Sequence, residues 1–123
     1  MWNLGSLEAE VMDWLWTAER PASVRDVVDD LNIVRIKPLA YTTIMSTMAK
    51  LHRKGWLRRT RSGKQYLYET TETREGCAAR IMADVLTGSR DPETTMLHFV
   101  QHLTSNGSPE LKSAVRRAMR RDP

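Results

Sequence analysis

A chain of 123 residues, 41% hydrophobic and 28% charged, can bury one moderate core, or a small core plus a helical extension, and a soluble globular protein is expected. No apolar run approaches the roughly 20 residues of a membrane helix, and the opening MWNLGSLEAEV has no basic segment followed by an apolar one, so no membrane insertion and a cytoplasmic location are expected. The net charge of +4 conceals a division: residues 1–30 carry seven acids against two arginines, residues 31–68 carry nine bases and no acid, and residues 69–123 balance.

The first helix is expected to open at Ser6 as N-cap, with Glu8 and Glu10 in the turn where the helix dipole favours acids, and to run to about Thr17. Leu7, Val11, Trp14 and Leu15 form its inward stripe. Glu19-Arg20-Pro21 breaks it. Ser23 then caps a second helix, with Asp26 three residues on to return the capping interaction. Val24, Val27, Val28 and Leu31 fall at i, i+3, i+4 and i+7. Asp29 and Asp30 sit at the end the dipole disfavours, so packing must hold this helix, which should end soon after. Asn32 to Leu39, with Pro38, is a connection somewhat longer than the simplest helix-turn-helix allows.

A third helix is expected from about Ala40 to Lys54, with Tyr41, Ile44, Met48 and Leu51 as its apolar stripe and Thr43, Ser46, Lys50 and Arg53 on a different side. Gly55 stands where a left-handed cap belongs. Two strands, Trp56 to Arg61 and Gln65 to Thr70, follow around Ser62-Gly63-Lys64. Leu57 and one aromatic register of Tyr66 and Tyr68 should face the helices, Trp56 should pack, and Arg58, Arg59, Arg61 and Lys64 should be exposed.

This helix and hairpin read as a DNA-binding unit with a wing. Short hydroxyl side chains on an exposed helical face can donate to base edges, accept from them or touch a thymine methyl, and the flanking Lys50 and Arg53 suit phosphates. A basic run by itself is more often a solvated face. Here the charge is concentrated on a helix and hairpin and not on a tail, which favours a defined polyanion surface.

Beyond Thr70 three further helices are expected. Thr71 or Thr73 opens the first, with Ala78, Ile81, Met82, Val85 and Leu86 as its stripe and Gly88 at its end; the lone Cys77 lies within it and should pack as a small hydrophobe. One cysteine excludes an internal disulfide and a metal site built from cysteines of one chain. Asp91-Pro92-Glu93 opens the next helix, carrying Met96, Leu97, Val100 and Leu103. Ser108-Pro109-Glu110 opens the last, with Leu111, Val115 and Met119 on one face and Arg116, Arg117, Arg120 and Arg121 near the end the dipole favours. Short amphipathic helices of this kind need a partner for their stripes, and a second copy joined through Ile81, Val85, Val100, Leu103, Leu111 and Val115 is the economical one. The expected fold is mainly α with a small β-hairpin: a winged helix-turn-helix domain over 1–70, followed by a helical dimerisation region over 71–123.

The segments LGSLEAEVMDWLW, VRDVVDDL, AYTTIMSTMAKLHRKGWL, RSGKQYLYE, LHFVQHL and SPELKSAVRRAM follow one another in an order that resembles the BlaI/MecI/CopY family of bacterial repressors, which control penicillinase, methicillin-resistance or copper-export genes. The resemblance implies a homodimeric repressor on an inverted-repeat DNA operator, with Thr42, Thr43, Ser46 and Lys50 as DNA contacts and Arg61 and Lys64 in the wing. Copper-responsive members carry a cysteine-rich C-terminal motif, and the tail after Leu103 has no cysteine. Other members are cut at an Asn-Phe bond by a membrane sensor protease; the pair standing there is His98-Phe99.

No nucleophile, acid-base pair or metal constellation suggests an enzyme, and neither a cofactor nor a bound metal is expected. His98 and His102, four apart, could hold zinc with Asp84 or Glu93 in a metal- or ligand-sensing winged-helix regulator; two surface or interface histidines are the simpler reading. An RNA-binding or architectural role would use the hairpin aromatics for stacking, but packing explains them equally well.

Overall fold

The computed structural model describes residues 4–121. Its elements are α1 (Ser6–Ala18), α2 (Val24–Asn32), α3 (Tyr41–Arg53), β1 (Leu57–Ser62), β2 (Gln65–Thr70), α4 (Arg74–Thr87), α5 (Pro92–Asn106) and α6 (Pro109–Met119). The chain divides into two compact units, the first ending at Ala79 and the second beginning at Arg80.

Local chemistry sets most boundaries in the first unit. The cap of α1 is Gly5, not Ser6, because the capping group comes from inside the helix: the Glu8 carboxylate reaches back to accept the Gly5 N–H at 3.0 Å. Glu19 ends α1 in the left-handed region at φ 52°. Ser23 and Asp26 cap α2 reciprocally, Asp26 N–H donating to the Ser23 hydroxyl at 3.1 Å and Ser23 N–H to the Asp26 carboxylate at 3.0 Å.

The connection into α3 is closed by Asn32. Its carboxamide donates to the Leu39 carbonyl at 3.1 Å and accepts the Leu39 N–H at 2.8 Å, as a paired strand residue would. The long loop is thus fastened at its neck, with Ile33, Val34 and Ile36 exposed beyond it.

α3 ends as the sequence predicts. Gly55 has φ 84°, its N–H donates to the His52 carbonyl, and the Trp56 N–H donates to Leu51, each at 3.0 Å, which satisfies two carbonyls of the last turn. The hairpin is one residue out of the expected frame: Trp56 lies outside β1 and Ser62 inside it, leaving the two-residue turn Gly63-Lys64 with Gly63 at φ 63°. The strands are antiparallel, Leu57 opposite Thr70 and Ser62 opposite Gln65. Ala22, between α1 and α2, forms a bridge to Tyr68 through two backbone hydrogen bonds of 2.9 and 2.8 Å, so β2 is held on its other edge as well.

The core draws Val11, Met12 and Leu15 from α1, Val24, Val27, Val28 and Leu31 from α2, and Ile44, Met48 and Leu51 from α3, closed by Leu57 and Tyr68 of the hairpin. Met12 is buried where the one-stripe reading places only Val11 and Leu15 as neighbours, because α1 packs against both α3 and β2 and needs a wider apolar arc. Tyr41 departs in the other direction. It remains 38% exposed at the first position of α3, its ring covered by the Arg25 guanidinium and not by the core.

Thr73 is the residue that opens α4, its hydroxyl accepting the Gly76 N–H at 3.0 Å. Cys77 is buried, the one residue of α4 that is. In the second unit Asp91 caps α5 through the Thr94 N–H and Ser108 caps α6 through the Leu111 N–H, both at 3.1 Å. Pro occupies the first helical position in each. Neither α5 nor α6 buries a single residue. Ile81, Leu103 and Val115 are half-buried, while Val85, Val100 and Leu111 are 67%, 47% and 43% exposed.

Candidate nucleic-acid interface

Successive residues of a helix are rotated by about 100°, so the buried line of Ile44, Met48 and Leu51 fixes the rest of α3 around it. Thr42, Ser46, Ala49 and Arg53 fall opposite that line, Thr43 and Lys50 on one shoulder, and Tyr41 and Met45 on the other. The burial pattern agrees: Thr42, Thr43, Ser46, Lys50 and Arg53 are all exposed. The structure therefore brings the five sequence-predicted helix residues onto one outward arc.

Met45 was not expected there. It is 43% exposed on the shoulder it shares with Tyr41 and offers the apolar contact that a thymine methyl or a deoxyribose accepts. Periodicity lets a methionine fall on either side of an amphipathic helix, so only its exposure reveals it. The Thr47 hydroxyl, by contrast, is committed to the Thr43 carbonyl at 2.8 Å.

On the wing, one face carries Leu57, Arg59, Arg61, Tyr66 and Tyr68 and the other Arg58, Thr60, Leu67 and Glu69. Tyr68 is buried and accepts a hydrogen bond from Arg59 at 3.3 Å. Two arginines lie over the Tyr66 ring, the Arg59 guanidinium 4.1 Å and that of Arg61 5.5 Å from its centre. Arg59 is accordingly half-buried, where a largely exposed side chain is expected, because it is part of the packing of Tyr66 and Tyr68. Arg61 is exposed, and its Nε donates to the Gly63 carbonyl at 3.2 Å, which sets the side chain along the turn beside the exposed Lys64.

Ion pairing sorts the nine bases of residues 31–68 further. Arg35 pairs with Glu10, Lys54 with Glu8 at 3.0 Å, and Arg58 with the cross-strand Glu69 at 2.9 Å. Lys37, Lys50, Arg53, Arg59, Arg61 and Lys64 pair with no acid among the described residues. The acidic N-terminal segment thus neutralises two bases that lie off the arc, and the cations without acidic partners are concentrated on the outer face of α3 and at the wing.

The Glu8 carboxylate ties the start of α1 to the end of α3. Burial would raise its pKa; the Gly5 N–H, the Lys54 hydrogen bond and charge, and the Lys50 charge outweigh that and hold it below the ordinary glutamate range. For Asp26 the Ser23 N–H lowers the pKa most, burial opposes it, and the Ser23 hydroxyl and Arg20 add to the lowering.

In the second unit, His98 and Phe99 lie in the middle of α5 with both side chains exposed, and His102 is exposed one turn on. Among the described residues no group of three or more His, Cys, Asp and Glu side chains is placed to hold a metal ion, and no helix is long and apolar enough to cross a membrane. An apolar groove of about 460 Å³ runs between Ile81, Val85 and Leu86 of α4 and Met96 and Phe99 of α5.

Residues 4–117 match the family model described as penicillinase repressor. The chain is 31% identical over 116 residues to the transcriptional regulator BlaI of two Mycobacterium tuberculosis strains, CDC 1551 / Oshkosh and ATCC 25618 / H37Rv, a match covering 92% of this chain and 83% of that protein. Among solved structures, the multiple antibiotic resistance repressor MarR is 15% identical with a TM-score of 0.48, covering 94% of this chain and 77% of that one. Streptococcus pneumoniae FabT in complex with DNA is likewise 15% identical with a TM-score of 0.48, over 95% and 71%.

Proposed function

Since the chain belongs to the penicillinase repressor family and is a DNA-binding transcriptional repressor and not an enzyme, we propose that it works as a homodimer on an inverted-repeat operator and controls β-lactam response genes. The observation that carries this reading is the arc of Thr42, Thr43, Ser46, Lys50 and Arg53 on α3, continued by Arg61 and Lys64 on the wing, all exposed and with no ion pair to an acid among the described residues. Thr42, Thr43 and Ser46 read base edges; Lys50, Arg53, Arg61 and Lys64 anchor phosphates. Residues 71–123 join the two copies through the stripes of Ile81, Val85, Val100, Leu103, Leu111 and Val115, which a single chain leaves half-buried or exposed.

Selection of bound fragments from random duplex DNA tests this. The expected outcome is a palindrome with half-sites separated by about one helical turn or a multiple of it. Recovery of unrelated sequences in proportion to their input would overturn it.

Induction follows from the same arrangement. We infer that cutting between His98 and Phe99 by a membrane sensor protease severs α5 and separates the two readers, lowering affinity through the loss of effective concentration. The bond lies inside a continuous helix, so cleavage requires local unwinding of α5. Mass spectrometry of the repressor from induced cells checks this: fragments ending at His98 support it, and intact protein released from the operator refutes it.

A further inference from the structure

We propose that Arg25 and Tyr41 together grip one DNA phosphate in each half-site and so fix how deeply the N-terminal end of α3 enters the groove. The inference rests on the reading of α3 as the groove helix and extends it to two residues, one of them on α2, that lie outside the arc.

Two side chains from different helices meet here. The Arg25 guanidinium carbon stands 4.7 Å from the centre of the Tyr41 ring, within the range of a cation–π contact. Tyr41 is the first residue of α3, immediately before Thr42 and Thr43. Its phenol has no hydrogen-bond partner among the described residues, unlike the Tyr68 hydroxyl, which accepts from Arg59.

Tyr41 is left 38% exposed beside a stripe, Ile44, Met48 and Leu51, that is fully buried. Stacking on the ring restrains the guanidinium and leaves the N–H groups at its edge available, a geometry suited to phosphate oxygens. Arg25 does have an acidic neighbour, Asp29, at 3.6 Å, but both side chains are largely exposed. Such a pair contributes little in water and gives way readily to a phosphate.

The mechanical consequence follows from the origin of the two residues. In a helix-turn-helix the first helix crosses the DNA backbone while the second enters the groove. A phosphate held by one group from each helix fixes their common position on the backbone, and Thr42 and Thr43 are carried into register by their adjacency to Tyr41.

The test uses the full chain on its selected operator, with Arg25→Ala, Arg25→Lys, Tyr41→Phe and Asp29→Asn, thermal melting of each variant serving as the folding control. Arg25→Ala should shallow the slope of log affinity against log salt by about 1. It should also abolish ethylation interference at one phosphate per half-site. Arg25→Lys should restore the slope without restoring full affinity. Tyr41→Phe should weaken operator binding on the order of tenfold, as for one charge-assisted hydrogen bond. Asp29→Asn should tighten binding to operator and to random DNA alike. If Arg25→Ala leaves both the slope and the interference pattern unchanged while Thr43→Ala and Ser46→Ala lose operator preference, the phosphate grip is overturned and the groove reading stands. If Thr43→Ala and Ser46→Ala also leave binding unchanged, the groove reading falls and this inference with it.

Discussion

The Lys54 ammonium, just beyond the last residue of α3, donates to both carboxylate oxygens of Glu8 at 3.2 and 3.0 Å, while the same carboxylate accepts the Gly5 N–H that starts α1. One side chain therefore caps one helix and tethers the end of another. Glu8 is buried to within 8%, so its charge is tolerated because both interactions are in place.

The pH dependence follows. The folded-state pKa of Glu8 is depressed, so its contribution is fully present above the unfolded value of about 4.3 and is lost as pH falls through and below it. Glu8→Gln, which keeps an acceptor for Gly5, should lower stability at neutral pH and flatten the acid limb of the stability curve below about pH 5. Urea titrations at a series of pH values check this, and parallel acid limbs for the two proteins would contradict it.

Asn32 should be the most sensitive polar residue of the helix-turn-helix connection. Asn32→Ala removes both hydrogen bonds to Leu39 and leaves part-buried backbone groups unsatisfied, at a cost of about 1 to 3 kcal/mol. Asn32→Asp keeps the acceptor and loses the donor, so its chemical denaturation midpoint should fall between those of the alanine variant and the parent. An alanine variant as stable as the parent would show that the neck of the loop is held by something else.

Thr43→Ala or Ser46→Ala should cost roughly 1 to 3 kcal/mol on the operator if each makes a good base contact, with little change on random DNA. Met45→Ala should act in the same selective way at a position where a thymine methyl is required. Binding assays on both DNAs decide, and equal losses on the two would remove these residues from base reading.

The basic residues divide according to their partners. Replacing Lys50, Arg53, Arg61 or Lys64 by alanine should each shallow the salt slope by about 1 while preserving sequence preference. Arg58→Ala should change the slope less than these, because Arg58 donates to Glu69 across the strands at 2.9 Å, a closer pair than Arg25 and Asp29 at 3.6 Å. A slope altered equally by Arg58→Ala would mean that the ion pairs do not select the contacts.

Val100→Glu or Leu103→Glu should dissociate the proposed dimer. Each places an unpaired charge in the proposed interface, at about 3 kcal/mol or more. Light scattering reads the mass directly, and an unchanged dimer for both variants would move the interface elsewhere.

The local elements were legible because their determinants are local. Ser23 and Asp26 cap α2, Asp91 and Ser108 open α5 and α6, Gly55 closes α3, and Val24, Val27, Val28 and Leu31 bury one face, all by interactions or periodicities spanning a few residues. The exposed arc of α3 was legible for the same reason, as the complement of the Ile44, Met48 and Leu51 stripe.

The sequence by itself determined the order of helices and hairpin, the polar face of α3 and the concentration of bases between residues 31 and 68. The tertiary structure decided which of those bases carry a free charge, since Glu8, Glu10 and Glu69 neutralise Lys54, Arg35 and Arg58 across distances in sequence that no periodicity encodes. It also decided that Tyr41 would meet Arg25 instead of the core, that Met12 would be buried, and that Ala22 would pair with Tyr68. A capping motif or a helical stripe is fixed by the neighbours a residue has along the chain. Charge pairing and burial depend on the neighbours it acquires in space, and those exist only once α1, α2, α3 and the hairpin have packed.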